Sequence, residues 1–161
     1  MMPILIREIQ QKDNKAIANV IRTVFISDDY PKTGTAFEDL QLNQMFETYQ
    51  QPNSIYFVVE SSNQIVGGAG VSPLQNSDEN ICELQKMYFL EEARGKGLGF
   101  QMIRKCLEKA KEFGYQKCYL ETLPEMKNAQ KLYQKVGFQY IDSPLGETGH
   151  SSCPVWMIKV L

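Results

Sequence analysis

Residues 81–113 read as an apolar strand, a glycine-rich loop and a long amphipathic helix, and this unit constrains the fold more than any other part of the chain. Behind Arg94-Gly95-Lys96-Gly97-Leu98-Gly99, the residues Leu98, Met102, Cys106, Ala110 and Phe113 recur at helical spacing. Glycines at a helix start leave backbone N–H groups unpaired beside the positive end of the helix dipole, which suits a phosphate or pyrophosphate. The same loop can also serve tight packing alone. A strand that feeds a helix commits the chain to a crossover, so the next strand, at 118–121, is expected to run parallel to the first.

The glycine spacing does not fit a dinucleotide fold. That fingerprint needs a third glycine or alanine where Phe100 stands, and glycines directly after the first strand of the domain. Here residues 90–93 intervene and the strand is the fourth, while a G-x-x-x-x-G-K-[ST] phosphate loop is absent.

Around this unit the pattern predicts a first strand at 4–9 and a helix capped by Asp13 and running through Phe25. A loop at 27–35 leads to a less regular helical stretch holding Phe37, Leu40, Met45, Phe46 and Tyr49. Runs at 55–60 and 64–71, joined by Ser61-Ser62-Asn63, read as a hairpin whose second strand Gly67, Gly68 and Gly70 should weaken. A helix at 126–136 is expected to open on a capping box Thr122-x-x-Glu125 and to close on Gly137, followed by strands at 139–141 and 155–160.

The 161 residues, 43% hydrophobic and 22% charged, suit one globular domain spanning 1–161. A net charge of −2 without a Lys/Arg run argues against nucleic-acid or anionic-membrane partners, and no apolar stretch approaches the roughly 18 residues of a membrane span. A cytoplasmic location is expected. Cys82, Cys106, Cys118 and Cys153 form no C-x-x-C pair and His150 is the only histidine, so no metal site is expected and the cysteines read as buried thiols.

Two segments resemble the GNAT superfamily of acyl-CoA N-acetyltransferases. Arg94-x-x-Gly97-x-Gly99 matches that family's [QR]-x-x-G-x-[GA] pyrophosphate loop, with Cys82-Glu83-Leu84-Gln85-Lys86-Met87-Tyr88-Phe89 as its fourth strand. Ala129-x-x-Leu132-Tyr133-x-Lys135-x-Gly137-Phe138 is similar to its later helix end. The resemblance covers 81–140 closely and the first eighty residues by pattern only. It implies an α+β fold: a mixed, mostly antiparallel sheet of about six or seven strands with about four flanking helices, its fourth and fifth strands parallel and splayed.

The resemblance implies acetyl-CoA as cosubstrate. Main-chain groups of Met87, Tyr88 and Phe89 would meet its pantetheine arm, Gly95, Lys96, Gly97, Leu98, Gly99 and Phe100 would hold its pyrophosphate, and Arg94 and Lys96 would add charge. Where many members carry Asn seven residues before the helix tyrosine, this chain has Met126, left to pack against the arm. Asn128 does not replace that contact, because two helical residues turn the side chain by about 200°.

Tyr133 matches the family's general acid, which protonates the departing thiolate; a half-buried packing aromatic is the alternative. An alkylammonium is deprotonated only about one part in a thousand at neutral pH, a handicap of about 4 kcal/mol that a base or a dry pocket must offset. Glu83 is the first base candidate, against a strand glutamate that faces solvent or pairs with lysine. His150, in a loop of the kind that builds the family's acceptor pocket, is expected at the substrate with Tyr30, and Phe37 and Trp156 are further pocket candidates. The implied acceptor is a small-molecule primary amine. A protein N-terminus or lysine, a non-catalytic acyl-CoA sensor, and ping-pong transfer through Cys118 or Cys153 remain open beside it, as does a homodimer through the C-terminal strands.

Overall fold

A computed structural model describes residues 3–161. Seven strands form one sheet in the order β1(Ile4–Glu8), β2(Ile55–Ser61), β3(Gln64–Pro73), β4(Ile81–Phe89), β5(Lys117–Thr122), β7(Val155–Val160), β6(Gln139–Ile141). Every pair is antiparallel except β4 and β5. Helices α1(Asn14–Ser27) and α2(Met45–Thr48) cover one face, and α3(Leu98–Glu112) and α4(Lys127–Lys135) the other.

Both faces are covered, so β2 is apolar on both sides. Ile55, Phe57 and Val59 point toward α3, and Tyr56 and Val58 toward α1. The hairpin turn sits at Ser62 and Asn63, both in left-handed backbone (φ 55° and 63°), the twist that two-residue hairpins prefer. The glycines of β3 do not cut that strand short as their propensity suggested; it runs on to Pro73. They make room instead: a Cβ at Gly68 would lie 2.6 Å from the Tyr56 ring, which crosses β3 to donate its hydroxyl proton to the Lys86 carbonyl at 2.8 Å.

The two expected helix caps are not formed. Asp13 ends a 3-10 turn, Gln11–Asp13, that runs straight into α1, and its carboxylate accepts from Gln10 N (2.8 Å) and from Arg7 (2.8 and 3.0 Å). Thr122 still belongs to β5, paired with Val155, and its hydroxyl donates to Met126 Sδ, so α4 starts at Lys127 without a side-chain cap. Gly137 does close α4 (φ 106°), with its N–H on Gln134 O and that of Phe138 on Tyr133 O.

Two irregularities in β4 position the site. Its parallel pairing with β5 stops after Ile81↔Lys117, Cys82↔Cys118 and Glu83↔Tyr119, while β5 stays paired to β7 as far as Thr122. Beyond Glu83 the two strands therefore splay into a cleft. On its other edge β4 is bulged against β3: Gly70 faces Gln85 and Gly68 faces Tyr88, with Lys86 at φ 50°. The extra residue shifts the alternation by one, so Glu83, Gln85 and Tyr88 face the α1 side while Leu84, Met87 and Phe89 face α3.

Candidate functional site

One end of the cleft is made of backbone. Gly95 (φ 74°) and Gly97 (φ 76°) lead into α3, and a Cβ on either would meet nothing within 4 Å. These glycines are needed for left-handed backbone, and the space around them lets a large anion approach the first N–H groups of the 15-residue helix α3. Gly99 has a different task, because a Cβ there would lie 2.8 Å from Leu132 Cδ2, where α3 packs on α4.

Arg94 anchors the loop: its Nε donates to Phe89 O (3.0 Å) and its guanidinium pairs with Asp28 at 2.9 Å. Lys96 is exposed, and so is Phe100, whose ring lies between Arg104 and Lys135. Met87 and Phe89 pack partly buried on the α3 side of β4, and Tyr88 lies on the opposite face against Phe25, with ring centroids 5.2 Å apart. Met126 is half-buried at the start of α4, and Asn128 is exposed. Tyr133 is buried on the inner side of α4 beside Phe138, and burial raises its phenol, so it remains a proton donor at neutral pH.

The other end is made of side chains. Glu83, only 5% exposed, accepts from Gln85 Nε2 at 2.7 Å, and Gln85 is held in turn by the Tyr49 hydroxyl at 2.6 Å. Burial pushes the Glu83 carboxyl up to about 7, although the Gln85 hydrogen bond and the His150 charge pull against it. A carboxylate oxygen of Glu83, one of Glu121 and a ring nitrogen of His150 all lie within 4.8 Å of one another. Glu121 accepts from the hydroxyls of Tyr119 (2.6 Å) and Thr148.

His150 Nε2 lies 2.9 and 3.2 Å from the two oxygens of Asp39, and Lys86 Nζ lies 2.8 Å from Asp39 Oδ2. Burial disfavours the imidazolium, but the Asp39 hydrogen bond and charge outweigh it and raise the His150 pKa. Burial likewise opposes Asp39 ionisation, and His150 and Lys86 overcome it, holding that carboxyl below its ordinary value.

Glu83 and His150, proposed separately from the sequence, thus meet in one cluster. Tyr30 does not join them; it stands edge-on to Phe25 near Asp28 and Arg94. Phe37 packs under α1, and Trp156 lies opposite Glu121 in the β5–β7 pair. The four cysteines are buried; a hydrogen bond with Cys82 and burial raise the Cys118 thiol, and burial pushes Cys153 up to about 12, which disfavours a thiolate at either ping-pong candidate.

Asp39, Lys86, Gln85 and Glu121 escaped the sequence reading. Strand alternation places Gln85 with Glu83, and Glu121 with Tyr119, so those two carried a usable signal. Lys86 reaches this face only through the bulge, and Asp39 lies between two 3-10 turns with no motif around it.

The site is roofed by residues 146–153, whose Ser152 N donates to Gly34 O and Glu147 N to Gln75 O. Among the described residues no helix is long and apolar enough to cross a membrane.

A family model described as the acetyltransferase (GNAT) family matches residues 20–138. The uncharacterized N-acetyltransferase YjgM of Escherichia coli (strain K12) is 44% identical over 160 residues, spanning 98% of this chain and 95% of that protein. A crystal structure of a GNAT-family acetyltransferase from Staphylococcus aureus matches with a TM-score of 0.88 at 21% identity over 99% of each chain. Acetyltransferase yncA of Salmonella typhimurium, solved with acetyl-CoA, matches at 0.78 and 16% identity over 98% of this chain and 94% of its own.

Proposed function

The chain belongs to the acetyltransferase (GNAT) family, and from that membership we propose that it transfers the acetyl group of acetyl-CoA to a primary amine of a small molecule, by direct attack with both substrates bound. The observation that carries this reading is the splayed cleft itself, with glycine-opened helix N–H groups at one end and a buried carboxylate beside a histidine at the other. Acetyl-CoA in the relative from Salmonella typhimurium supports the cosubstrate.

The loop and the N-terminus of α3 would hold the pyrophosphate, and β4 beyond Glu83, unpaired on its β5 side, would offer main-chain groups to the pantetheine arm. Glu83 would take the proton from the acceptor ammonium, which its upward shift to about 7 suits at neutral pH. The amine nitrogen then attacks the thioester carbonyl, and Tyr133 gives a proton to the departing thiolate. The roof over Glu83 and His150, fastened at Gly34 and Gln75, favours a compact acceptor over a polypeptide.

The test is acetyl-CoA turnover against a panel of small amines and peptides, with a thermal-shift titration alongside. A ligand present at a hundred times its dissociation constant stabilises the fold by about 2.7 kcal/mol, so acetyl-CoA should raise Tm and NAD should not. Turnover of peptides alone would replace the small-molecule acceptor. Stabilisation without turnover of any amine would favour an acyl-CoA sensor.

A further inference from the structure

Glu83 is the most enclosed carboxylate of the acceptor cluster, and a proton it removes from the amine must leave before the next turnover. Glu121 is a poor exit, because Tyr119 and Thr148 already donate to its two oxygens. Cys153 keeps its own proton, with its thiol pushed up to about 12 by burial. His150 differs: its side chain is 17% exposed, and a ring nitrogen lies within 4.8 Å of both the Glu83 and Glu121 carboxylates.

The ring is also held from outside the cluster. Asp39 accepts from Nε2, the Asp39 carboxylate is fixed by Lys86 Nζ, and the His150 main chain donates to Thr148 Oγ1 at 3.1 Å. A proton on Nε2 leaves the other ring nitrogen with a lone pair, the tautomer a proton carrier needs.

We infer that Asp39 is a positioning residue for acetyl transfer, holding the His150 ring beside Glu83 so that His150 carries the amine proton from that buried carboxylate to solvent. This inference rests on the acetyl-transfer reading. The ammonium loses its proton to the Glu83 carboxylate, the carboxylic acid passes it through one bridging water to neutral imidazole, and the imidazolium releases it to solvent or buffer. The groups that set the His150 charge are Asp39, which lies between the two 3-10 turns, and Glu83 and Lys86 from β4, with the Glu121 carboxylate of β5 also facing the ring and the Cys153 thiol of its own loop staying neutral.

Because His150 is the only histidine, nitrogen-15 NMR of histidine-labelled protein reads this ring alone, with or without turnover. Wild type should show the Nε2–H tautomer, and Asp39→Asn should mix the tautomers and lower the imidazole pKa. In the same variant kcat/KM for the amine should fall roughly tenfold to a hundredfold, less than the 10²–10⁴ typical of losing the acid–base group itself. KM for acetyl-CoA should be unchanged, and Asp39→Glu should recover most of the rate. His150→Ala should regain rate as imidazole is added to the buffer.

Asp39→Asn leaves Lys86 buried without its partner, so Asp39→Asn/Lys86→Met, which removes both charges, repeats the measurements if the single variant melts early. An unchanged ring signal in Asp39→Asn overturns the inference. So does a changed ring with wild-type amine kinetics. Failure of the wild-type protein to acetylate any amine would remove the acetyl-transfer reading, and the relay with it, whatever the ring signal shows.

Discussion

At the loop end of the cleft, Gly95 and Gly97 have no side chain, and nothing in the protein lies within 4 Å of where a Cβ would be. At the acceptor end, side-chain bonds of 2.6–3.2 Å tie Tyr49, Gln85 and Glu83 into one chain and Lys86, Asp39 and His150 into another. Backbone N–H groups at a helix start point at a phosphate whatever surrounds them, so the first end is robust to its neighbours. The second depends on each partner, because Asp39 is offset by Lys86 and His150 while the buried Glu83 carboxyl has only the neutral Gln85 amide to hold it. Substitutions at the first end should therefore touch one property, and substitutions at the second should change rate, pH dependence and stability together.

The largest expected effect is at Glu83. Glu83→Gln should lower kcat/KM for the amine by about 10²–10⁴, and the acidic limb of the wild-type profile, near pH 7, should vanish with it. Acetyl-CoA affinity, measured by calorimetry, should stay unchanged, since the substitution is confined to the acceptor end. A variant that keeps the wild-type profile would remove Glu83 from the proton path.

The same substitution should stabilise the protein. A carboxyl that binds its proton more tightly in the folded state stabilises the fold below its unfolded pKa and loses that contribution as pH rises to its folded value. For Glu83 the window runs from 4.5 to about 7 and is worth about 3 kcal/mol. Wild type should lose stability across this window and Glu83→Gln should not, so denaturation at pH 8 should favour the variant. Equal stability at pH 8 would show that the ionised carboxylate is better solvated than its burial suggests.

Tyr133 belongs to neither end and is buried on α4 beside Phe138. Tyr133→Phe keeps the ring that packs against Phe138 and removes the proton donor, so kcat should fall about 10²-fold with Tm nearly unchanged. The loss should shrink as pH rises toward the pKa of the leaving thiol. A Phe variant with a lower Tm and wild-type kcat under chemistry-limited conditions would make Tyr133 a packing residue.

The smallest effect belongs to the backbone end. Gly97→Val places a β-branched residue at φ 76°, a strain of about 1–2 kcal/mol, and acetyl-CoA should bind roughly ten times more weakly with the acidic limb kept near pH 7. Movement of that limb in the glycine variant would mean that the two ends are coupled.

What the sequence determined by itself was the contiguous part. The strand, glycine loop and helix at 81–113, the closure of α4 at Gly137 and the hairpin turn at Ser62 and Asn63 follow from local backbone preference and hydrophobic period, which neighbours in sequence decide. The parallel β4–β5 pair follows from the crossover between them. Tertiary structure alone decided the rest: the bulge that turns Lys86 toward Asp39, the register that sets Glu121 near Glu83, and the roof that brings His150 to both. Even Thr122 and Asp13, which carry helix-capping patterns, went instead to a strand and to Arg7. The reason is physical: a buried charge takes the partner that packing brings within about 3 Å, and packing joins residues tens of positions apart, beyond the reach of any local pattern.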